Sequence, residues 1–293
     1  MDYINYVKQS PFAGFAGFGG GATGLAFNSG AFEKPEGYYW GGDRGLAFGG
    51  YDAPSTVMSE ILYFGISTLG SAGDFGDTTG TARYGGGAAS NGTRGLYAGG
   101  FEDPAYSNVI DYVTIATTGN AVDFGDMIYD RRQFGAVSNG SRAVWAGGYS
   151  MPQPAFVTRA DMDYTTIATT GNATDFGDLL AASEGQTGCS SKTRGVFSGG
   201  SLPASPWAGA LQAITIDTTA NATSIGTQNS STHGQAAASS NGVYGTWVGG
   251  KANITEVSSM TYITIDTHSS GFVSNFGNLT SARTLTSGAS GDP

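Results

Sequence analysis

The residues of this sequence that could carry out acid-base, nucleophilic or metal chemistry are few and far apart. It contains two histidines, His233 and His268, and one cysteine, Cys189. Two histidines from different parts of the chain do not favour a Ser-His-Asp triad or a metal site with several histidine ligands. The lone cysteine excludes a disulfide within these 293 residues and also a cysteine-rich metal site. We therefore expect no enzymatic activity, no cofactor and no bound metal.

Paired carboxylates raise the question of a calcium site. The sequence DFGD occurs three times, and its aspartates are Asp74 and Asp77, Asp123 and Asp126, and Asp175 and Asp178. Carboxylate oxygens bind Ca²⁺, but two of them are few for a site. Aspartate also accepts hydrogen bonds from turn backbone, which is the role that we predict for these side chains. Calcium binding remains the alternative.

Charge and hydropathy exclude two classes of partner. Lys and Arg number 13, Asp and Glu number 23, and the net charge is −10. A negative protein is repelled by nucleic-acid phosphates and by anionic membrane surfaces. No apolar run approaches the ~20 residues of a membrane span, and the first residues lack the apolar region of a secretory signal. The apolar share of 39% suffices for a core, so we expect a folded protein without nucleic-acid partners or membrane insertion.

Five copies of one pattern run through the chain and determine the expected architecture. A segment that ends in Gly-Gly recurs every 48 to 52 residues, and its copies end at Gly50, Gly100, Gly148, Gly200 and Gly250. A second marker follows each copy: DFGD three times, then SIGT at 224–227 and NFGN at 275–278. Between the two lie alternating runs rich in β-branched residues, such as YVTIAT at 112–117, which are typical of strands.

Each unit of about 50 residues divides into four short strands. They are a small-residue strand such as GGGAAS at 85–90, the strand ending in Gly-Gly, the alternating strand and the Phe-Gly strand. Asn-Gly pairs at 91–92, 139–140 and 241–242 predict tight hairpins between the first two strands, with positive φ at both positions. Apolar residues nowhere keep a 3.6-residue period, so the chain is predicted to be all-β. Four-stranded units at this period are typical of a β-propeller.

The markers resemble the kelch repeat over roughly residues 40–290, although Phe75, Phe124, Phe176, Ile225 and Phe276 stand where a late Trp is expected. The resemblance implies a kelch-like β-propeller of five four-stranded blades over residues 41–293. In the kelch order, the first Gly-Gly strand lacks its small-residue partner, while TLTSGAS at 284–290 has no successor. Pairing these two would close the ring with strands from both termini. GLAFNSG at 24–30 competes for the same position, and a sixth blade from residues 12–42 is the alternative.

Residues that recur in every unit serve the fold, whereas those that differ are free to serve a partner. Arginines recur at the head of the Gly-Gly strand, as Arg44, Arg94, Arg142 and Arg194. Since a guanidinium has five N–H donors, we predict that they bond carbonyls or carboxylates of the neighbouring blade.

The connections after each Gly-Gly differ between units and should emerge on one face of the propeller. Their aromatic residues are Tyr51, Phe101, Tyr106, Tyr149, Phe156 and Trp207. Rigid aromatics on ordered loops suit recognition of carbohydrate or protein, because contact area is gained at small entropic cost. We predict a binding site among these six residues, and packing over blade edges is the alternative role.

Residues 1–40 form a separate N-terminal segment rich in Gly, Phe and Ala. Its stretch at 11–27 carries no charge and exposes Phe12, Phe15 and Phe18 without a core of its own. We expect this segment to be an arm that either docks on the propeller or mediates assembly with another subunit.

The wording of the repeats, with YVTIATTGNAVDFGD at 112–126 and SNGTRG at 90–95, resembles kelch-like virion and tail proteins of tailed bacteriophages. The resemblance implies a non-enzymatic structural or host-recognition protein of the tail, fibre or capsid, made in the host cytoplasm and incorporated into the virion. Its implied partners are other virion proteins, within an oligomeric assembly, and a host-surface glycan or protein. A bacterial lectin-like or scaffold propeller is one alternative, and a propeller enzyme is another.

Overall fold

The computed structural model describes residues 24–28, 44–52, 56–65, 69–151, 156–201, 209–228, 236–252, 255–271 and 273–282. All regular elements in these ranges are β-strands. Within them we find no helix with the length and apolar character to cross a membrane.

Five four-stranded antiparallel sheets form the blades of a β-propeller, which confirms the predicted fold. Blade 1 contains β1 (Gly24–Asn28), β2 (Arg44–Asp52), β3 (Thr56–Gly65) and β4 (Gly73–Asp77). Blade 2 contains β5 (Gly87–Ser90), β6 (Arg94–Ala98), the ribbon β7 (Phe101–Glu102) and β8 (Ala105–Tyr106), then β9 (Val109–Thr114) and β10 (Val122–Asp126). Blade 3 contains β11 (Gly135–Ser138), β12 (Arg142–Ala146), the ribbon β13 (Tyr149–Ser150) and β14 (Val157–Thr158), then β15 (Asp161–Thr166) and β16 (Thr174–Asp178). Blade 4 contains β17 (Glu184–Ser190), β18 (Arg194–Ser201), β19 (Ala210–Thr215) and β20 (Thr223–Thr227). Blade 5 contains β21 (Ala237–Ser240), β22 (Tyr244–Val248), the ribbon β23 (Lys251–Ala252) and β24 (Thr255–Glu256), then β25 (Ser259–Thr264) and β26 (Ser274–Asn278).

The small-residue strand is the innermost strand of each blade. Consecutive innermost strands β1, β5, β11, β17 and β21 pack against one another. A Cβ added at Gly87 would lie 2.5 Å from the Phe134 ring, and one at Gly188 would lie 2.5 Å from Cγ1 of Val137. Strands that approach so closely favour small side chains, which explains the Gly, Ala and Ser that dominate β5, β11 and β21.

The first blade takes its innermost strand from the segment before it. β1 pairs antiparallel with β2, from Gly24 opposite Phe48 to Asn28 opposite Arg44. Residues 24–28 of the competing segment 24–30 therefore take the innermost position of blade 1, and the other candidate, 284–290, lies outside the described residues. A sixth blade from residues 12–42 was the alternative. The structure describes only residues 24–28 of this range, and they belong to blade 1. They also fall within the predicted arm 1–40, whose boundary at residue 40 stays a prediction.

The hairpins marked by Asn-Gly form, but their geometry differs from the prediction. The N–H of Asn91 bonds the carbonyl of Arg94, so the two central turn residues are Gly92 and Thr93. Only Gly92 has a positive φ, of 81°. Asn91 instead uses its side-chain Oδ1 to accept the N–H groups of Thr93 and Arg94, at 3.0 and 2.7 Å. Asparagine is thus favoured here as a hydrogen-bond acceptor and not for a left-handed backbone.

Hydrophobic cores lie between neighbouring blades. The core between blades 2 and 3 joins Leu96, Ile110 and Phe124 of one blade to Phe134 and Trp145 of the next. Similar clusters fill the other junctions among the described residues, from blade 1 to blade 5. Blades 2, 3 and 4 each pack on two neighbours, so both faces of their sheets are buried.

The recurring arginines bond carbonyls of the following blade, as predicted. Nη1 of Arg44 donates to Ile115 O at 2.9 Å, and the matching bonds are Arg94 to Ile167 at 3.2 Å, Arg142 to Ile216 at 3.3 Å and Arg194 to Ile265 at 2.8 Å. Serines at the ends of the innermost strands bond in the opposite direction. The Oγ of Ser138, Ser190 and Ser240 donate to the carbonyls of Ser90, Ser138 and Ser190, at 3.2, 2.9 and 2.9 Å.

Two of the DFGD aspartates make short-range hydrogen bonds to backbone, but within the outer strands β10 and β16 and not in a turn as predicted. Oδ1 of Asp123 accepts the N–H of Gly125 at 3.0 Å, and Oδ1 of Asp175 accepts that of Gly177 at 3.2 Å. Gly125 has a φ of 139°, and a Cβ there would lie 2.5 Å from the Gly171 carbonyl carbon of the next blade. Phe-Gly therefore recurs because the glycine lets the next blade's turn approach the outer strand.

Two ion pairs are buried beside the alternating strands of blades 2 and 3. They join Arg83 to Asp111 and Arg131 to Asp163, and all four side chains are at most 1% exposed. Blade 4 has Gln212 at the position of Asp163, where its Oε1 accepts the N–H of Leu180 at 2.6 Å. The same backbone contact is thus made by a carboxylate in one blade and by an amide in another.

Candidate functional site

In blades 2 and 3 the connections after Gly-Gly and the crossovers lie on the same face of the propeller, which we call the loop face. In blade 2, Phe101 of the ribbon and Tyr84 of the crossover exchange backbone hydrogen bonds of 3.1 and 2.7 Å. In blade 3, Tyr149 and Arg132 do the same at 3.0 and 2.9 Å. The ribbons and crossovers of these two blades are therefore joined, as the repeat pattern predicted.

Gly-Gly makes this junction possible. Gly99 has a φ of 60°, and a Cβ there would lie 2.5 Å from the carbonyl oxygen of Arg131. A residue with a side chain would both strain the backbone and push away the crossover of the next blade. The glycine pair thus places each variable connection against its neighbour.

Consecutive crossovers are also bonded to each other. The N–H of Gln133 donates to the carbonyl of Gly85 at 2.8 Å, and the N–H of Gly185 donates to that of Gln133 at 2.7 Å. The preceding residues, Tyr84, Arg132 and Glu184, therefore occupy equivalent positions in three successive units. This position on the loop face therefore holds an aromatic ring in Tyr84, a cation in Arg132 and an anion in Glu184.

Five rings from blades 2 and 3 form what we call the aromatic cluster: Tyr84, Phe101, Tyr106, Tyr149 and Phe156. Phe101 makes edge contacts with Tyr84 and Tyr106, with ring centroids 5.5 and 5.6 Å apart. Tyr106 contacts Tyr149 at 6.1 Å and Phe156 at 6.4 Å. Tyr149 and Phe156 stack with centroids 5.2 Å apart and planes inclined by 11°. The variable connections of two blades thus make one continuous aromatic surface.

Arg132 lies among these rings. Its guanidinium carbon is 5.2, 5.4 and 6.0 Å from the ring centroids of Tyr106, Phe101 and Tyr84. Each such cation–π contact contributes about 0.5–1 kcal/mol at exposed sites and more when water is excluded. Nη1 also donates to Oη of Tyr84 at 3.4 Å, a long bond, and Nε has no partner among the described residues. Arg132 is therefore fixed mainly by the rings, and its hydrogen-bonding capacity is only partly used.

Glu184 lies beside the cluster. Partial burial raises the pKa of its carboxyl group, and the nearby positive charge of Arg132 opposes that rise. The charge of Glu184 in turn helps to raise the pKa of Tyr106 and of Tyr149, although burial is the larger cause for both tyrosines. Among the described residues we find no hydrogen bond to this carboxylate and no ion pair within 4.0 Å. A half-buried carboxylate without a partner among the described residues thus lies beside the aromatic cluster.

Part of the cluster is open to solvent. Phe156 is 57% exposed, whereas Tyr106 beneath it is buried. Other exposed apolar side chains of the same ribbon and of the adjacent crossovers are Ile128, Tyr129, Val157 and Leu180. The Arg159 guanidinium lies 3.3 Å from the Tyr129 ring centroid and bonds Asp161 at 2.9 Å. Exposed rings beside fixed charges are features of recognition surfaces.

The structure brings together four of the six predicted binding residues: Phe101, Tyr106, Tyr149 and Phe156. Tyr51 lies in β2, and its side chain is not described. Trp207 lies outside the described residues, as do Phe12, Phe15 and Phe18 of the predicted arm.

Sequence reasoning missed three residues of the site, namely Tyr84, Arg132 and Glu184. Tyr84 and Arg132 lie in crossovers, and Glu184 is the first residue of β17, directly after a crossover. Their types differ at one equivalent position, so comparing the crossovers as we compared the ribbons would have found them.

The residues with catalytic or metal-binding potential do not gather in the described part of the chain. His268 lies in the turn between β25 and β26, and His233 is outside the described residues. Cys189 is buried in an innermost strand, and burial raises the pKa of its thiol. The described ranges contain no group of three or more His, Cys, Asp or Glu that could hold a metal ion.

Comparison with known proteins assigns no family. No family model matches the chain, and no curated protein matches it.

Proposed function

We propose that this β-propeller is a non-enzymatic recognition protein that binds a cell-surface glycan or protein through its loop face. The observation that carries the proposal is the aromatic cluster. Variable connections of two blades converge there around Arg132, and Phe156 is exposed. The recurring arginines and serines form hydrogen bonds between blades, so the residues that differ between units are the ones available to a ligand.

We further propose that the protein acts in the virion of a tailed bacteriophage, on the tail, fibre or capsid. The resemblance of its repeats to kelch-like virion proteins supports this setting. In such an assembly its partners include other virion proteins, and the N-terminal arm with Phe12, Phe15 and Phe18 provides attachment. The test is mass spectrometry of purified virions and of the soluble fraction of the same lysate. The virion setting requires that the protein copurify with infectious particles, and its presence only in the soluble fraction would contradict the proposal.

Recognition is tested with the full chain on a glycan array and on candidate host cells. Phe156→Ala removes the most exposed ring of the cluster, so binding should fall at least tenfold, or about 1.4 kcal/mol. Phe276→Ala is the matched control, because Phe276 is also an exposed phenylalanine, 63% exposed, but lies in the outer strand of blade 5. If the protein binds no glycan on the array and none of the candidate host cells, the proposal is wrong. Equal loss with both variants would show that the loop face is not the binding surface.

A further inference from the structure

We infer that the loop-face site takes an uncharged saccharide, which stacks a C–H face on Phe156 and shares its hydroxyl groups between Glu184 and Arg132. This inference rests on the proposed function and specifies its ligand. Its three parts are the open ring, the two incompletely bonded charged groups and the local charge balance.

The ring supplies a flat apolar platform. One face of Phe156 is covered by Tyr149, whose plane is nearly parallel to it at 5.2 Å. Since 57% of the Phe156 side chain is still exposed, its opposite face is the side open to a ligand. Tyr149 and Tyr106 hold the ring from below, so little conformational freedom is lost on binding. A pyranose ring presents a C–H face of similar width that can lie on such a platform.

The charged groups supply the complementary polar contacts. Glu184 is an acceptor without a protein donor in the described ranges, and Arg132 has one long side-chain bond through Nη1. Covering groups whose hydrogen-bonding capacity is only partly used costs free energy, and a ligand offsets this cost if it offers donors and acceptors on neighbouring atoms. Vicinal hydroxyl groups do this, because each hydroxyl donates one hydrogen bond and accepts others. An apolar ligand would leave both groups unsatisfied.

The charge balance favours an uncharged ligand. Glu184 lies near enough to Arg132 to feel its positive charge, so the site carries one charge of each sign, while the chain as a whole carries −10. A sugar carboxylate that bonded Arg132 would lie close to Glu184 and would be repelled by it. A neutral sugar meets both groups without this penalty.

The experiment uses the full chain and defined probes. Methyl glycosides of glucose, galactose, mannose and N-acetylglucosamine are the uncharged set, and glucuronate and N-acetylneuraminate are the acidic set. Saturation-transfer NMR identifies which sugars bind and which protons touch the protein, and titration calorimetry gives the affinity. At least one uncharged sugar should bind with saturation concentrated on the protons of one ring face, and the acidic set should bind at least tenfold more weakly.

Variants assign the contacts. Phe156→Leu keeps an apolar side chain but removes the ring, and Glu184→Gln removes the charge with little change of shape. Each variant should bind the sugar about tenfold more weakly, which corresponds to about 1.4 kcal/mol of binding free energy. Phe276→Ala should bind like the parent protein. Binding to the parent should also weaken as the pH falls and Glu184 is protonated beside Arg132, Tyr106 and Tyr149, whereas Glu184→Gln should show no such dependence.

The outcomes separate this inference from the proposed function. Preference for the acidic sugars, or insensitivity of sugar binding to both site variants, would overturn the inference. If cells bind in a Phe156-dependent way while no saccharide does, the ligand is a protein: the recognition surface stands and the saccharide is wrong. If Phe156→Ala leaves cell binding unchanged, both proposals fail together.

Discussion

Replacing Asp163 by asparagine should destabilise the propeller far more than the same change two residues earlier. Asp163 lies fully buried in β15, where Oδ2 is 2.7 Å from Nη2 of Arg131 and accepts the N–H of Ile128 at 3.0 Å. Burial raises the pKa of Asp163 and lowers that of Arg131, and the attraction between the two charges opposes both shifts. Asp163→Asn keeps the shape of the side chain but leaves the guanidinium buried without its counter-charge.

The structure sets the magnitude. Both side chains of the pair are 0% exposed, and removing one partner of such a pair typically costs about 3–5 kcal/mol. Arg131 keeps its bonds to the carbonyls of Gly147 and Asp161, at 3.1 and 2.9 Å, but these carry only partial charges. The control is Asp161→Asn in the same strand, whose partner Arg159 lies 2.9 Å away with side chains 14% and 34% exposed. A pair so exposed contributes about 0–1 kcal/mol.

Urea unfolding of the two variants and the parent, followed by tryptophan fluorescence, measures the difference. The midpoint of Asp163→Asn should fall well below that of Asp161→Asn, with unchanged slope of the transition. A loss below about 1 kcal/mol for Asp163→Asn, equal to that of the control, would refute the reasoning that this buried charge depends on its partner.

Three further perturbations follow from particular residues. Gly125→Ala should lower the free energy of unfolding by about 1–3 kcal/mol in thermal or urea unfolding, because φ is 139° and the backbone of the next blade lies where the Cβ would be. Gly70→Ala is the control and should leave the stability unchanged, because no atom lies within 4 Å of the added Cβ. Equal effects of the two substitutions would contradict the prediction. Cys189 is buried and the pKa of its thiol is raised, so a thiol reagent at pH 8 should label it only in unfolded protein, and fast labelling of native protein would count against the buried position. Because burial raises the folded-state pKa of Glu184, its ionisation lowers the stability of the folded protein as the pH rises through that pKa. Glu184→Gln should therefore raise the melting temperature at neutral pH, and this gain should vanish below about pH 4. A gain that does not depend on pH would exclude ionisation of Glu184 as its cause.

Much of the fold could be predicted because each strand of the repeat carries its own local chemistry. Asn-Gly marks the inner hairpin, Gly-Gly ends the second strand, and Phe-Gly marks the outer strand that the next blade's turn approaches. The role of the recurring arginines followed from the number of donors on a guanidinium. The innermost strand of blade 1 could not be chosen, because segments 24–30 and 284–290 have similar composition and strand pairing depends on contacts distant in sequence.

The site could be predicted only in part, for a physical reason. The ribbon aromatics were identifiable because they differ between units within a constant frame. Arg132 and Glu184 reach them through bonds between crossovers, such as Gln133 to Gly85, which join residues about one repeat apart. The buried pairs were missed because Asp111 lies next to the buried Ile110, and strict alternation reads one of two neighbours as solvent-facing. Blade 2 packs on blades 1 and 3, so both faces of its sheet are buried and alternation does not identify a solvent-facing residue.

The opposite directions of the arginine and serine bonds between blades have an evolutionary consequence. The junctions between blades 2 and 3, 3 and 4, and 4 and 5 each use the same two bonds, one from an arginine to the next blade and one from a serine to the previous blade. Gain or loss of one of these copies by recombination would therefore leave the new junction with the same pair of bonds. A lineage carrying this gene could change its number of modules without having to invent a new contact, while the divergent ribbons of each copy drift independently.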